Sequence, residues 1–365
     1  MNIGILSMQK IHNYGSFLQA FSLKMQFEAR GHHVYFIDIL PGRQVVSSSS
    51  EKTCKYLLSK FDKYFFKRIE NYFLSKKMHQ IHIQDYESYL DTQKKLPENE
   101  FFDLVVIGSD EVFNATGPSP WGFSSQLFGD IKNAKCVVTY AASCGQTTAE
   151  SAECYGITDE LRNSMQNLQL ISVRDQNTKK FVEAILGITP LRHLDPVFSG
   201  DFDSYIPSVF AKKPYMLVYA YPNRIYDPKE IVAIKAYAKK RGLDILCVGM
   251  QQRWNKKNIS ASAFELLAYV KNASCVVTDT FHGTVFSIKY NKQFVSIVRE
   301  SNRNKLGDLL SQFDLQERCV SDVSTFEQAM NAPIDFASVN NIIERERNHT
   351  HDYLDRITHL GEKNG

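Results

Sequence analysis

Apolar runs of strand length alternate with stretches of helical period along this 365-residue chain. No other feature constrains the fold as tightly. A strand, a helix and a second strand of the same sheet imply a crossover, and a crossover makes the two strands parallel with the helix lying on one sheet face. The first unit predicts a strand at Ile3–Leu6, a loop at Ser7–Gly15, a helix at Ser16–Arg30 stopped by Gly31, and a strand at Val34–Ile39. Further strands are predicted at Asp103–Ile107, Cys136–Ala141 and Leu168–Val173, with a helix at Gln176–Leu186. A second series then begins. Its strands are Tyr215–Tyr219, Ile245–Val248, Cys275–Thr278 and Phe294–Val298. Its helices are Pro228–Arg241, Ser262–Lys271, Thr284–Tyr290 and Lys305–Phe313, followed by a long charged helix at Val339–Leu360.

Two series of this length exceed one ordinary core and suit two lobes of roughly 150–200 residues. The stretch 199–213 is polar, carries Gly200 and Pro207, and has no clean period, so it reads as a connection. The expected organisation is a first lobe over 1–200 with a basic helical insert at 43–100, a linker at 201–213, a second lobe over 214–333, and a terminal helix and tail at 334–365. Within the insert, residues 51–77 set eight Lys/Arg against three acids, with seven aromatic residues interleaved. A solvated helical face is the plain reading. A patch for anionic lipid or a lipid-linked substrate is the sharper one, with peripheral membrane contact.

A net charge of +3 excludes a chain that binds nucleic acid through overall charge. No apolar run reaches the roughly 18 residues of a membrane span. The start, MNIGILSM, enters a strand pattern without a basic leader. Seven cysteines, odd in number and nowhere spaced CxxC, suit reduced thiols. The expected location is therefore the cytoplasm. No metal site is expected, since His79 and His82 lack further ligands, and no cofactor is expected.

In parallel sheets, ligands sit at the carboxyl ends of strands, and four loops there are unusually polar. In Asn13-Tyr14-Gly15-Ser16, Gly15 permits close backbone approach, by an anion for example, and Ser16 suits a helix cap. Gly108-Ser109-Asp110, followed by Asn114, reads as a capping turn or a cleft loop. Arg174 follows an apolar strand. It is either salt-bridged to Asp175 or Asp195 or aimed at a carboxylate or phosphate ligand. His282 stands between a strand end and a helix start, where it should face the cleft. The alternative for His282 is capping or packing. Cys144 reads as a small buried thiol rather than a nucleophile, because no base is identifiable for it.

These loops, in this order, resemble the polysaccharide pyruvyl transferase family. The matching pieces are Asn13–Ala20, Gly108–Asn114, Tyr140–Ser143, Ile171–Asp175, Leu194–Pro196 and Thr278–Thr284. The resemblance implies two Rossmann-like lobes similar to GT-B glycosyltransferases, with the active site in the interlobe cleft. It implies phosphoenolpyruvate as donor, a sugar or lipid-linked oligosaccharide as acceptor, and a pyruvate ketal as product. By the same resemblance His282 is the acid/base and Arg174 holds the donor. Asn13, Gly15, Ser16, Ser109, Asp110, Asn114, Ser143, Asp279, Thr280, Gly283 and Thr284 would bind substrate. Members often carry arginine two residues before the histidine, where this chain has Thr280, so Arg303 or Lys305 is expected to supply the missing cation. The alternatives are a nucleotide-sugar glycosyltransferase of the same architecture and a non-catalytic glycan-binding protein. Nucleotide-sugar enzymes commonly hold the ribose with a carboxylate at the start of a late helix, and Thr284–Tyr290 contains none.

Overall fold

In the computed structural model, described for residues 1–45 except 10 and 12, residue 76, and residues 80–363 except 82, 92, 93, 118, 210, 212 and 223, twelve strands form two sheets. Nearly all of the basic segment 51–77 lies outside the described residues. The first sheet holds β1 (Asn2–Leu6), β2 (His33–Phe36), β3 (Leu104–Asp110), β4 (Val137–Ala142), β5 (Ser172–Val173) and β6 (Leu191–Arg192), in the order β2-β1-β3-β4-β5-β6. The second holds β7 (Tyr215–Tyr219), β8 (Asp244–Val248), β9 (Asn258–Ile259), β10 (Cys275–Thr278), β11 (Phe294–Ile297) and β12 (Cys319–Val320), in the order β12-β11-β10-β7-β8-β9. All pairings between these strands are parallel, with Ile3 opposite Val34 and Leu104, and Val276 opposite Leu217 and Phe294.

Helices of the first lobe include α1 (Tyr14–Glu28), α2 (Ala149–Cys154), α3 (Thr158–Met165) and α4 (Gln176–Leu186). Those of the second are α5 (Pro228–Lys240), α6 (Ala263–Asn272), α7 (Phe281–Lys289), α8 (Arg303–Gln312) and α9 (Phe326–Asn331). They cover both sheet faces, so β4 and β10 are buried at every position, as continuous apolar strands require.

Strand order reverses direction twice. In the first sheet the chain steps outward from β1 to β2, then returns to the other side of β1 with β3. In the second it steps from β7 to β8 and β9, then returns beside β7 with β10. A reversal opens a crevice beyond the strand ends, because the two crossovers leave in opposite directions. Asn13 and Asp110 flank the first crevice, and Tyr221 and Thr280 flank the second.

An aromatic cluster joins the lobes. Phe17 and Phe21 of α1 pack on Phe264 of α6, with ring centroids 5.8 and 5.3 Å apart, and Tyr89 sits 4.9 Å from Phe264. The Tyr14 hydroxyl donates to the Ala261 carbonyl at 2.7 Å. The final helix, α10 (Phe336–Lys363), runs back onto the first lobe, where the Tyr353 hydroxyl donates to the Thr139 carbonyl at 2.6 Å.

Candidate active site

The two crevices face each other, and the residues at their mouths meet around His282. Beyond β10, Thr280 is the N-cap of α7: its hydroxyl oxygen accepts the Gly283 N–H at 2.9 Å. The helix therefore begins three residues before the periodicity suggests, and His282 lies inside its first turn. Gly283 is needed for packing, since a Cβ there would lie 2.1 Å from Thr278 Oγ1. Thr284 donates to the Thr280 carbonyl at 3.1 Å and shares a hydrogen bond with Ser296 at 2.7 Å. Asp279 is buried and accepts the Tyr221 N–H at 2.9 Å, while its own carbonyl accepts Asn302 Nδ2 at 2.7 Å. Burial raises the Asp279 pKa, opposed by the Tyr221 N–H and by Arg224 and Arg299. These four residues form the mount that aims His282.

Across the gap, the cap of α1 is Asn13 rather than Ser16: Asn13 Oδ1 accepts the Ser16 N–H at 2.7 Å. Gly15 does permit a close approach, but the approaching group is the His282 ring. A Cβ on Gly15 would lie 2.0 Å from His282 Nδ1. The imidazole of the second lobe thus rests on the first turn of a helix of the first. The Ser16 hydroxyl, free of capping, donates to Asp110 Oδ2 at 2.6 Å.

Asp195 binds the centre together. Its Oδ2 lies 2.7 Å from Arg174 Nη1 and 3.3 Å from His282 Nε2. The second contact has the separation of an ion pair without the alignment of a hydrogen bond, and no other group bonds Nε2. Burial would push the Asp195 carboxyl up. The His282 ring, the Arg174 guanidinium and the Val197 N–H outweigh burial and hold it at about 2. The other guanidinium nitrogen of Arg174, Nη2, is 3.7 Å from Asp110 Oδ1, and the group stacks on the Phe281 ring at 4.1 Å. Burial opposes ionisation of Asp110 too, but His282, Arg174, the Ser16 hydroxyl and Lys305 together lower its pKa. Arg174 is therefore a bridge between two carboxylates rather than an unoccupied fork. Asp175 is not its partner: that side chain caps α4 through the Thr178 N–H at 2.9 Å and accepts the Ser143 hydroxyl at 2.6 Å.

These groups border a cavity of about 190 Å³. Of the residues predicted from sequence, Asn13, Asp110, Asn114, Arg174, His282 and Lys305 line it. Lys305 is 2.9 Å from Glu111 Oε1, and Asn114 Nδ2 donates to Glu111 Oε2 at 2.9 Å. Gly15, Ser16, Ser143, Asp279, Thr280, Gly283 and Thr284 stand behind the lining. So does Ser109. Gly108, Ser109 and Asp110 are the last residues of β3 rather than a capping turn, and Ser109 donates its N–H to Gln19 and its hydroxyl to the Ala141 carbonyl, each at 2.9 Å. Arg303 is exposed on α8, outside the lining.

Asp195, Glu111 and Phe281 lie within the matching pieces but were not among the site residues expected from sequence, Asp195 being weighed as a salt-bridge partner; Trp121 and Tyr221 were not singled out. The placement of Asp195 just before Pro196, at a strand end, was the available signal. Cys144 is buried, and burial pushes its thiol far up, so it is no nucleophile. Among the described residues no cluster of three or more His, Cys, Asp or Glu is placed to hold a metal ion, and no helix is long and apolar enough to cross a membrane.

The model of a family described as polysaccharide pyruvyl transferase matches residues 13–301. No curated protein matches in sequence. Among solved structures, the glycosyltransferase SsfS6 of Streptomyces sp. SF2575, complexed with thymidine diphosphate, is similar with a TM-score of 0.50 and 13% identity, over 98% of this chain and 99% of that one. SnogD, a glycosyltransferase from Streptomyces nogalater, aligns with a TM-score of 0.45 and 11% identity over 99% of both chains. The UDP-GlcNAc 2-epimerase of Methanocaldococcus jannaschii aligns with a TM-score of 0.46 and 12% identity, over 94% of this chain and 99% of that one. The architecture is the two-lobed α/β fold of GT-B glycosyltransferases.

Proposed function

The chain belongs to the polysaccharide pyruvyl transferase family, and from that premise we propose that it transfers an enolpyruvyl group from phosphoenolpyruvate to a sugar of a surface polysaccharide or its lipid-linked precursor, closing a pyruvate ketal. One observation carries the reading: His282 and Arg174 line the cavity, and the buried Asp195 behind them pairs with both across the lobes.

The chemistry needs a proton donor first. Protonation of the methylene carbon of phosphoenolpyruvate turns the enol ether carbon into an oxocarbenium-like centre. A sugar hydroxyl attacks that carbon, the carbon–oxygen bond to phosphate breaks, and a second hydroxyl closes the ring. Of the two hydroxyl protons, one replaces the proton spent on carbon and the other leaves with phosphate. A carboxylate facing one ring nitrogen orients the imidazole, and an imidazole can give a proton and later recover one, as a general acid must. With Nε2 turned to Asp195, Nδ1 is the nitrogen left to serve the substrate. Arg174 keeps Asp195 and Asp110 ionised around that ring. It acts through its neighbours as well as by its own charge.

The donor also needs cations for a carboxylate and a phosphate. Lys305 is the suitable group. Its pair with Glu111 is partly exposed and worth at most about 1 kcal/mol, so a multiply charged anion can displace it. The reading places the enzyme in the cytoplasm, with phosphoenolpyruvate and the acceptor as its partners.

A nucleotide-sugar transferase is the rival. α7 and the first turn of α8 contain no acid. Within α8, Asp308 is already held by Arg192 at 2.5 Å and by the Gln176 N–H at 3.3 Å, and the exposed Glu300 lies in the turn before the helix rather than in it. Thermal unfolding separates the two readings. At 100 times its dissociation constant a ligand adds about 2.7 kcal/mol of stability. Phosphoenolpyruvate should raise the melting temperature and a panel of nucleotide sugars should not. The opposite preference would overturn the assignment of the donor.

A further inference from the structure

The cavity is chemically two-sided, and its second side has no role in the account so far. Ionisable lining comes from the strand ends and from α7 and α8: Asp110, Glu111, Arg174, His282 and Lys305. The remainder comes largely from residues 115–128, with Met8 and Ile11 beyond β1. Trp121, Phe123 and Leu127 belong to this part, and none of its lining residues carries a charge. Phe123 and Phe128 are buried and pack ring to ring at 5.4 Å, so they back the wall. Trp121 is only partly buried.

The wall is fixed by main-chain bonds. The Gly42 N–H donates to the Trp121 carbonyl at 2.7 Å, and the Phe123 N–H donates to the Arg43 carbonyl at 2.8 Å. A Cβ on Gly42 would lie 1.6 Å from the Phe123 carbonyl oxygen, so this strap closes only on glycine. A backbone held in this way presents the indole beside the charged centre as part of a defined surface.

We infer that Trp121 and its uncharged surroundings form the acceptor subsite, and that they select a neutral sugar ring over an acidic one. The inference rests on the transfer reading in one respect: an anionic donor takes the side with the cations. What remains must hold the other reactant. A pyranose presents a face of C–H groups that packs on an indole and leaves its hydroxyls at the rim, directed toward His282 and Asp110. A uronic acid would bring a carboxylate against a wall whose described lining residues offer no cation to receive it, in a cavity that Asp110 and Glu111 also line. Desolvation and like-charge repulsion both oppose that. The class of acceptor is therefore a neutral hexose, including an N-acetylated or deoxy one.

The chain contains only two tryptophans, Trp121 and Trp254, which makes the test direct. In the full-length Trp254→Phe protein, Trp121 emission is followed during titration with methyl glucopyranoside and with methyl glucopyranosiduronic acid. The neutral sugar should give a saturable change, and the uronate should bind about tenfold more weakly or worse. By calorimetry, Trp121→Ala should weaken the neutral sugar by about tenfold or more, and Trp121→Phe should restore it to within about threefold. Equal or tighter binding of the uronate overturns the inference, as does no saturable response to the neutral sugar, or unchanged affinity in Trp121→Ala. If Trp121→Ala does not fold, the wild-type sugar comparison and Trp121→Phe still decide. A wild type that discriminates between the sugars but shows no thermal shift with phosphoenolpyruvate keeps the subsite and refutes the donor.

Discussion

Gly15 is the residue on which the position of His282 turns. Its missing side chain is occupied by an imidazole from the other lobe. In Gly15→Ala the ring has to leave, because the added methyl sits at the first turn of a capped helix and cannot retreat. Overpacking of this kind costs about 1–3 kcal/mol, so the fold should survive, with circular dichroism unchanged. Turnover should fall by about 100-fold or more, the usual worth of a positioned acid/base group. Asp195 makes a prediction in pH. Its carboxyl ionises at about 2 in the fold, below its ordinary value of 3.8. Above about pH 4 the charged form is present in both folded and unfolded chains, and its stabilisation is complete. That stabilisation, on the order of 2 kcal/mol, is lost as pH falls through 2. Denaturant unfolding of Asp195→Asn should show a lower midpoint at neutral pH and a shallower acid limb than wild type. Histidine and arginine were legible in the sequence because a charge after an apolar strand demands an explanation. Their contacts were not legible: Asp195 and Gly15 stand 87 and 267 residues before His282 in the chain (282 − 195 and 282 − 15), and no local pattern joins them.

At the scale of elements, the long strands and their crossovers could be read from period alone, and Tyr215–Tyr219, Cys275–Thr278 and Gln176–Leu186 have the bounds the pattern predicts. The two-residue strands β6, β9 and β12 and the short helices α2, α3 and α9 were not read. Two residues carry no period, and these strands exist because a neighbour supplies the ladder. The start of α7 was missed because Phe281, His282 and Gly283 are weak helix formers held in the first turn by a cap. Thr280→Ala tests that cap. It should cost about 1 kcal/mol of stability and lower turnover as the His282 turn frays. Thr280→Ser should retain both, as read by urea midpoint and steady-state rate.

For the whole molecule, parallel sheets and two lobes followed from alternation, but the relation between the lobes did not. It is set by rings that meet across the chain: Phe17, Phe21 and Tyr89 with Phe264. This contact continues a single apolar core from one lobe into the other. With that core fixed, both reversals of strand order open onto one space, and the imidazole and the carboxylate are brought together across the lobes. Pyruvyl transfer as proposed requires proton delivery to the donor carbon by His282. Its most direct test is to incubate the protein with phosphoenolpyruvate and a neutral lipid-linked sugar in deuterium oxide, reading phosphate release and product mass together. The account predicts phosphate released one for one with a ketal whose methyl group carries a single deuterium, and neither product from His282→Ala. Phosphate release without a labelled ketal, or full activity in His282→Ala, would contradict it.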